Sequence, residues 1–421
     1  MASVNRLWRR LLGVEGVVVE DWDFDEIEQA VVVSVRPMKH GRRRCSRCHR
    51  RCGLYDQGSG RRRWRGLDLG TVKIYLEAQA VRVSCPEHGV VVAQVPWARP
   101  GSGFTRQFEE QCGWLAVHTN RTAVAELMRV SWRTVGRIVG RLADEGVART
   151  DLLLGLKRIG IDELSYRKGH KYLTVVVDHD SGRLVWLDPG RDQATVHRFF
   201  DALGPERSAA LTLVSADGAN WIEDVVRVRA PQAVRCLDPF HVVQWATSAL
   251  DKVRRSVWNE LRRESGGSEA AQLKGARWAL WKNPENLTAR QRRTLAWVAK
   301  ANAPLYRAYL LKEGLRSVFH QRSARIAQQR LDEWLAWACR SRLEPFVKLA
   351  KSIRLFRPRI EATLTHQLSN ALVEGRNTQL RLLHRMAFGF HSAKAFIGLA
   401  LLKLGGLAPP LPGRTQPTVM A

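Results

Sequence analysis

Cysteine is scarce in this 421-residue chain, and no stretch of it is long and purely apolar. Seven cysteines, an odd number spread over that length, cannot make a disulfide scaffold. No run approaches 18 consecutive apolar residues, so no segment is expected to span a bilayer. The opening MASVNRLWRRLLGVEG holds an apolar stretch too short and too interrupted for a secretory signal. Internal repeats and collagen-like periodicity are missing too. Negative charge is the other shortage: 40 Asp and Glu stand against 68 Lys and Arg, a formal net charge of +28. What remains is globular in composition, 45% hydrophobic and 26% charged, at a length that suggests two to three domains. Each phosphate neutralised by such a chain releases condensed counterions, so a polyanionic partner is expected, in a reducing cytoplasm.

The pattern along the chain changes several times. Val17–Glu20 and Val31–Val35 read as a short strand pair. From His40 to Arg65 come ten arginines and one aspartate, together with Cys45, Cys48 and Cys52. Val72–Val83 alternates as one strand and runs into Cys85-Pro86-Glu87-His88. A Pro/Gly hinge at 96–103 precedes helical periodicity over 104–147. Beyond Lys157 the order is β-β-β-α-β-α-β: strands at 158–162, 171–177, 184–187, 210–215 and 233–237, with helices at 195–203 and 221–229. Residues 240–367 read as helix after helix, rich in Trp and Arg, and 370–403 as further helix before a Pro-rich tail at 408–421.

Cys45-x2-Cys48 and Cys85-x2-His88 are two ligand pairs, each able to clamp one face of a tetrahedral ion from a short turn. Thiolates with an imidazole suit structural Zn²⁺, and four protein ligands leave no open position for catalysis. Cys52 and His49 are alternative ligands that spacing alone leaves open. Cys112, Cys236 and Cys339 sit in apolar contexts and read as core thiols. Residues 121–138 have the grammar of a helix-turn-helix. Val124, Leu127, Val130, Val135 and Ile138 are the apolar positions, and Ser131 is placed to cap the second helix. Trp132, Arg133 and Arg137 then fall on the exposed face of a recognition helix. Arg42, Arg43, Arg44, Arg61, Arg62, Arg63 and Arg65 are candidate phosphate contacts, which position DNA without reading it.

Three carboxylates stand out by where they fall. Asp162 ends the first strand of the β-rich segment, Asp217 follows the fourth, and Glu374 lies on a late helix. Strand ends are where α/β sheets hold catalytic groups. Carboxylates converging from two strand ends and a helix offer hard oxygens for Mg²⁺ or Mn²⁺, as two-metal phosphoryl transfer requires. Glu163, Asp178 and Asp188 are neighbours that read as solvated or capping acids. Asp238-x2-His241 either supports the site or merely caps the helix that follows.

Taken together these residues resemble a DDE transposase of the bacterial ISL-three insertion-sequence family, over nearly the whole chain. The most specific pieces are Ile159-Gly160-Ile161-Asp162-Glu163, Ala233–His241 and Asn370–Phe390, the last ending Arg385-Met386-Ala387-Phe388-Gly389-Phe390. The Asp238/His241 pair is similar to one in Mutator-like and hAT-like enzymes, which carry a helical insertion before the Glu. The resemblance implies a multidomain α+β and α/β chain. A zinc-binding unit (1–98) and a helix-turn-helix (104–150) would bind terminal inverted repeats. A ribonuclease-H-like domain (157–244 and 366–405), interrupted by a helical insertion (245–365), would carry Asp162, Asp217 and Glu374 as its metal triad, and 406–421 would be a disordered tail. Its implied activity is cleavage of double-stranded DNA and joining of the 3′-hydroxyl ends to target DNA, cut-and-paste or replicative, in at least a dimer, in the bacterial cytoplasm at the nucleoid. His88 departs from the cysteine expected as the finger's last ligand; either residue binds Zn²⁺. Two rivals stand beside this reading: a transposase-derived DNA-binding regulator without chemistry, and a ribonuclease-H-like nuclease that joins nothing.

Overall fold

Valine-rich segments lose little χ1 freedom when extended, and two of them begin the fold. A computed structural model describes residues 2–167, 169–264 and 268–414. By its contacts the chain divides into two units, one reaching Thr150 and rejoined from Lys394 on, the other Asp151–Ala393.

In the first unit helix α1 (Ala2–Leu12) precedes strands β1 (Val17–Asp25) and β2 (Ala30–Pro37), an antiparallel pair. Strands β3 (Gly53–Asp56), β4 (Arg61–Arg65), β5 (Lys73–Gln79), β6 (Arg82–Cys85) and β7 (Gly89–Val92) follow. They form two sheets, β1-β2-β5-β4 and β3-β6-β7. The single strand expected over 72–83 is therefore two. It breaks at Ala80-Val81, where Ala80 N–H donates to Gly60 O (3.3 Å) and Val81 O accepts from Ala93 N–H (2.9 Å), so the partners change and the strand changes sheet. Gly58, at φ +66°, makes the crossing possible: a Cβ there would lie 2.2 Å from Ala80 O. Trp8, Trp64 and Trp97 fill the core beneath the first sheet. Helices α2 (Arg106–His118), α3 (Arg121–Leu127) and α4 (Trp132–Arg149) complete this stretch.

The second unit is built on β8 (Arg158–Arg167), β9 (Lys171–Asp178), β10 (Leu184–Pro189), α5 (Gln193–Leu203), α6 (Pro205–Ala209), β11 (Leu213–Ala216), α7 (Asn220–Arg229) and β12 (Val234–Leu237). The sheet order is β10-β9-β8-β11-β12; the first three strands are antiparallel, and β11 runs parallel to both β8 and β12. Alternation along β8 sorts its side chains. Ile159 and Ile161 join Phe199, Phe200, Ile222 and Val226 in the core under α5 and α7, which leaves Gly160 and Asp162 for the opposite face. Contrary to the sequence reading, β8 does not end at Asp162: it continues to Arg167, paired with β9 throughout, with one register shift.

Eight helices follow: α8 (Pro239–Glu264), α9 (Ser268–Gly275), α10 (Arg277–Trp281), α11 (Ala289–Ala301), α12 (Ala303–Val318), α13 (Ala324–Arg340), α14 (Glu344–Leu355) and α15 (Arg357–His366). They enclose their own core, with Leu250, Leu311, Leu315, Trp334, Phe346 and Ile353 among its members. Helix α15 returns to the sheet, where Thr363 Oγ1 donates to Leu237 O (2.7 Å). Helix α16 (Ala371–Met386) then packs on β8 and β9.

Helix α17 (Ala393–Leu404) falls almost wholly in the first unit, although the sequence grouped 366–405 with the β-rich domain. The reason is local: Gly398 lets it approach Ala143 of α4, so closely that a Cβ would sit 3.2 Å from the alanine's. The tail expected to be disordered is partly packed. Pro409 and Leu407 lie against Gly113 and Gly146, while 415–421 lie outside the described residues.

Candidate metal centres and nucleic-acid interface

Cys45 and Cys48 sit on a tight turn between β2 and β3, and Cys85 and His88 on the turn joining β6 to β7. The two turns face each other, and the four ligand atoms all lie within 4.8 Å of one another. Cys48 Sγ to Cys85 Sγ is 3.6 Å, Cys85 Sγ to His88 Nδ1 3.7 Å and Cys45 Sγ to His88 Nδ1 3.8 Å. A tetrahedron with metal–sulfur bonds of about 2.3 Å has edges of about 3.8 Å, so donor type and spacing both fit zinc. Burial pushes the Cys85 thiol up, but the Glu87 and His88 backbone N–H groups and the neighbouring thiols bring it down to about 7, toward the thiolate a metal needs. Of the two alternatives, Cys52 donates to Arg50 O and His49 meets Gln94 Oε1 at 2.8 Å; both stand outside the cluster. Cys112 and Cys236 are buried thiols, and Cys339 is half-buried.

Asn120 caps α3 by accepting from Ala123 N–H, and Ser131 caps α4 by accepting from Thr134 N–H (3.2 Å). Val124, Val135 and Ile138 are fully buried between the helices. Leu127 is not: it is 63% exposed, and Met128 occupies the core in its place, because α3 ends at Leu127 and the chain turns there. Trp132, Arg133 and Arg137 lie exposed at the start of α4, with Arg121 stacked 4.4 Å over the Trp132 ring.

The arginines expected to meet phosphate are not equivalent. Arg42 and Arg43 are exposed, and Arg44 is half-buried, donating to His49 O. Arg61 and Arg63 ion-pair with Glu77, and Arg63 also with Asp25. Arg62 donates to Ser102 O (2.8 Å). Arg65 is a correction: it is only 6% exposed and bound to Asp68, its guanidinium near the Phe108 and Tyr75 rings, so it serves the interior rather than a phosphate.

The acids of the second unit meet on the α16 side of the sheet. Gly160 allows this, since a Cβ there would lie 2.3 Å from Val373 Cγ2 of α16 and 3.0 Å from Ser215 Oγ. Two residues on, Asp162 accepts from the Glu163 backbone N–H (2.8 Å) and from Asn377 Nδ2 of α16 (2.7 Å). Asp217 leaves the end of β11 and accepts from Ala219 N–H (3.0 Å). Glu374 stands in the first turn of α16. Burial raises the Asp162 carboxyl, and the nearby Asp217 charge raises it further. Burial likewise raises Glu374, with Asp238 and Asp162 adding to the effect. Asp162 thus feels the Asp217 charge, and Glu374 feels that of Asp162. They are less tightly gathered than the thiols: among the described residues, the Cys/His four are the group whose ligand atoms close to within 4.8 Å.

Beneath the acids runs a buried polar chain. Asp238, 2% exposed, bonds His241 Nδ1 (3.0 Å) and accepts from the Asn370 backbone N–H (3.3 Å). Asn370 Oδ1 accepts from Ser215 Oγ (2.7 Å), which also meets His179 Nε2 (2.8 Å). The chain thus ties together β11, β12, the β9–β10 turn and the start of α16. The hydrogen bond to Asp238 raises His241 and favours its imidazolium; burial opposes this, while Asp217 and Asp162 add to it. Asp238 thereby does more than cap α8: it joins His241 to the start of α16.

Sequence reasoning passed over four contributors. Glu163 reaches Arg191 (2.9 Å) with one oxygen, and burial together with Asp217 pushes its carboxyl up to about 7. Its Oε1 is buried without a partner, as is Asn377 Oδ1. Arg235, 8% exposed, pairs with Glu223 and donates to the Val214 and Asp217 carbonyls, fixing the chain that presents Asp217. Asn370 acts as described above. A donor set made wholly of oxygen, with two buried oxygens left unmatched beside it, fits a hard divalent cation such as Mg²⁺.

Known proteins resemble this chain in sequence. Residues 159–399 match a transposase family profile of ISL3 DDE type, residues 93–143 the helix-turn-helix domain of transposase family ISL3, and residues 41–88 the zinc-finger of transposase IS204/IS1001/IS1096/IS1165. The chain is 52% identical, over 433 aligned positions covering 97% of both chains, to the transposase for insertion sequence element IS1557 of Mycobacterium tuberculosis, in strains CDC 1551 and H37Rv alike. It is 28% identical to the transposase for insertion sequence element IS1001 of Bordetella parapertussis, over 84% of this chain and 86% of that one. No described helix is long and apolar enough to cross a membrane. With family matches at the finger, the helix-turn-helix and the acidic sheet, and a relative identical at half its positions, the chain belongs to the ISL3 family of transposases.

Proposed function

We propose that this transposase binds the terminal inverted repeats of its own insertion sequence through its first unit and cleaves and joins DNA strands with its second. The observation that carries the reading is the buried Ser215–Asn370–Asp238 chain, which ties the strands that present Asp162 and Asp217 to the start of the helix that carries Glu374. On this reading the five-stranded sheet with α16 is a ribonuclease-H-like domain, and α8–α15 is its helical insertion. Cys45, Cys48, Cys85 and His88 hold a structural Zn²⁺ that locks the finger. Arg42, Arg43 and Arg44 meet the DNA backbone, and Trp132, Arg133 and Arg137 enter the major groove. Synapsis of two ends calls for at least a dimer, acting in the bacterial cytoplasm.

Asp162, Asp217 and Glu374 would hold Mg²⁺ or Mn²⁺, which when bound supplies Lewis acidity to the phosphate and lowers the pKa of an attacking water. Asn377 and the Glu163 N–H orient the Asp162 carboxylate, and Arg235 holds the carbonyl of Asp217 so that its side chain leaves the sheet edge at a fixed place. His241, whose imidazolium the hydrogen bond to Asp238 favours, would set positive charge beside the acids that face the phosphate. In the first step water attacks the phosphorus at the element end, the P–O3′ bond breaks, and the 3′-oxygen leaves with a proton. In the second, that 3′-hydroxyl attacks a target phosphodiester in line and expels the target's own 3′-oxygen.

The test is incubation of the full chain with Mg²⁺ and labelled duplex ending in the element's flanking repeats, together with target DNA. Nicking at the repeat tip followed by joined product is expected. Nicking without joining would make the protein a nuclease, and binding without chemistry would make it a regulator.

A further inference from the structure

A second concave site lies beside the acids and is used by nothing described so far. Strand β8 runs on past Asp162 to Arg167, and α16 runs alongside it in the same direction. Asn370 meets Ile161, Asn377 meets Asp162, and Arg381, His384 and Arg385 reach the level of residues 164–167. The rises agree: six residues of strand span about 20 Å and fourteen of helix about 21 Å. Between the far ends of the two elements lies a cleft of about 310 Å³ lined by Tyr166, Arg167, Arg381, His384 and Arg385. The three arginines are exposed, and none has a carboxylate partner among the described residues. Arg381 lies two turns along α16 from Glu374, and its positive charge is close enough to lower that carboxyl.

Three residues beyond Arg385, which lines the cleft, stands Phe388, 94% exposed and in the left-handed region at φ +52°. A bulky residue rarely adopts that conformation, and it persists only where its surroundings impose it. Here the turn is imposed by Phe388 N–H donating to Arg385 O and Gly389 N–H donating to His384 O, both at 3.0 Å. The strained turn thus lifts an aromatic ring into solvent at the end of a helix whose last residues line a basic cleft.

We propose that this cleft takes the DNA strand adjoining the scissile phosphate, with successive phosphates on Arg381, Arg385 and Arg167, and that Phe388 stacks on a base it draws out of the duplex. The inference rests on the transposase reading above. Unpaired arginines in a groove, with an exposed aromatic ring on the turn that follows the lining helix, are what a single strand requires: charge for the backbone and a π-face for a base. About 16 Å of β8 beyond Asp162 matches four to five nucleotides at 3.4 Å each, so the ring meets a base a few positions from the cut. Wedging apolar side chains into base steps is a known way to open a duplex end.

The test uses the full chain and repeat-end duplexes carrying 2-aminopurine at each of the first six positions flanking the cut. Fluorescence is read in Ca²⁺, and cleavage is read in Mg²⁺ on paired ends and on ends mismatched at the same position. Wild type should raise fluorescence at one position. Phe388→Ala should lose that signal and cut paired ends about tenfold more slowly, with the mismatch restoring the rate, whereas Phe388→Trp should keep both. Arg385→Ala should weaken binding of either substrate. Phe388→Ala with unchanged fluorescence, or a defect equal on paired and mismatched ends, would overturn the proposal. If wild type and Glu374→Ala alike fail to cut, the catalytic reading fails instead, and the Ca²⁺ fluorescence still decides the cleft.

Discussion

The two candidate metal sites use opposite strategies. In the finger, each ligand pair spans four consecutive residues on one turn, so folding a short segment places two donors at once, and two such turns close a cluster whose ligand atoms all lie within 4.8 Å of one another. In the second unit, the acids come from positions 162, 217 and 374, on a strand, after a strand and on a helix. No short segment supplies two of the three. Their placement rests on the sheet and on the Ser215–Asn370–Asp238 chain that ties it to α16. The finger has three thiolates, an imidazole and no open position, which suits holding a fold together. The acids have oxygen donors and unmatched oxygens beside them, which suits a centre that must admit phosphate and water. A closed local site and an open long-range site should therefore respond differently to damage.

The largest effect is expected at the finger. Chelating zinc, or substituting Cys45→Ser, removes folding free energy that the small β3-β6-β7 sheet cannot replace. Zinc content should fall from one per chain to none, and repeat binding should drop by roughly a hundredfold or more. Thermal unfolding of the second unit, followed by its own tryptophan signal, should barely move. Next comes the buried chain. Asn370→Ala leaves the Ser215 hydroxyl and the Ile161 carbonyl short of a partner inside the protein and should cost about 2–3 kcal/mol, read as a lower denaturant midpoint for the second unit with the zinc content unchanged. If both units lost stability together, the comparison would be wrong.

Glu163 sharpens it further. Its carboxyl titrates near 7 in the fold against 4.5 in the unfolded chain, so the folded state binds more protons between those values. Its favourable contribution is complete below about 4.5 and is lost as pH rises to 7. Glu163→Gln should therefore be more stable than wild type at pH 8 by about 1–2 kcal/mol, after the lost Arg191 pair is counted, with the gap closing toward pH 5. Added Mg²⁺ should narrow the gap at pH 8 by favouring the ionised acid. The smallest change is expected from Arg133→Ala on the recognition helix: about 1–2 kcal/mol of repeat binding, with preference among repeat sequences relaxed and cutting chemistry intact. A uniform loss on every sequence would make Arg133 a backbone contact.

What the sequence made legible follows the same division. Cys45, Cys48, Cys85 and His88 could be read because their pairing is local, and so could Ser131, whose cap lies three residues from the N–H it accepts from. The β-β-β-α-β-α-β order was visible in periodicity, and with it the strand-edge position of Asp217. Leu127 and Met128 were exchanged because helical periodicity does not mark the residue at which a helix turns. Arg65 was misread because composition counts charges without showing that Asp68 lies beside it. Glu163, Asn377, Asn370 and Arg235 carried no signal of their own. Their roles come from partners up to 215 positions away, and a carboxylate next to Asp162 reads as solvated until the fold buries it.

The measurement that tests the account most directly separates binding from cutting in one preparation. Glu374→Ala and wild type would be compared for zinc content, affinity for repeat-end DNA in Ca²⁺, and strand cleavage in Mg²⁺. The account predicts equal zinc, equal affinity within about twofold, and cleavage at least a thousandfold lower in the variant, a difference of about 4 kcal/mol in the barrier. Cleavage retained by Glu374→Ala, or lost only in proportion to DNA affinity, would contradict it.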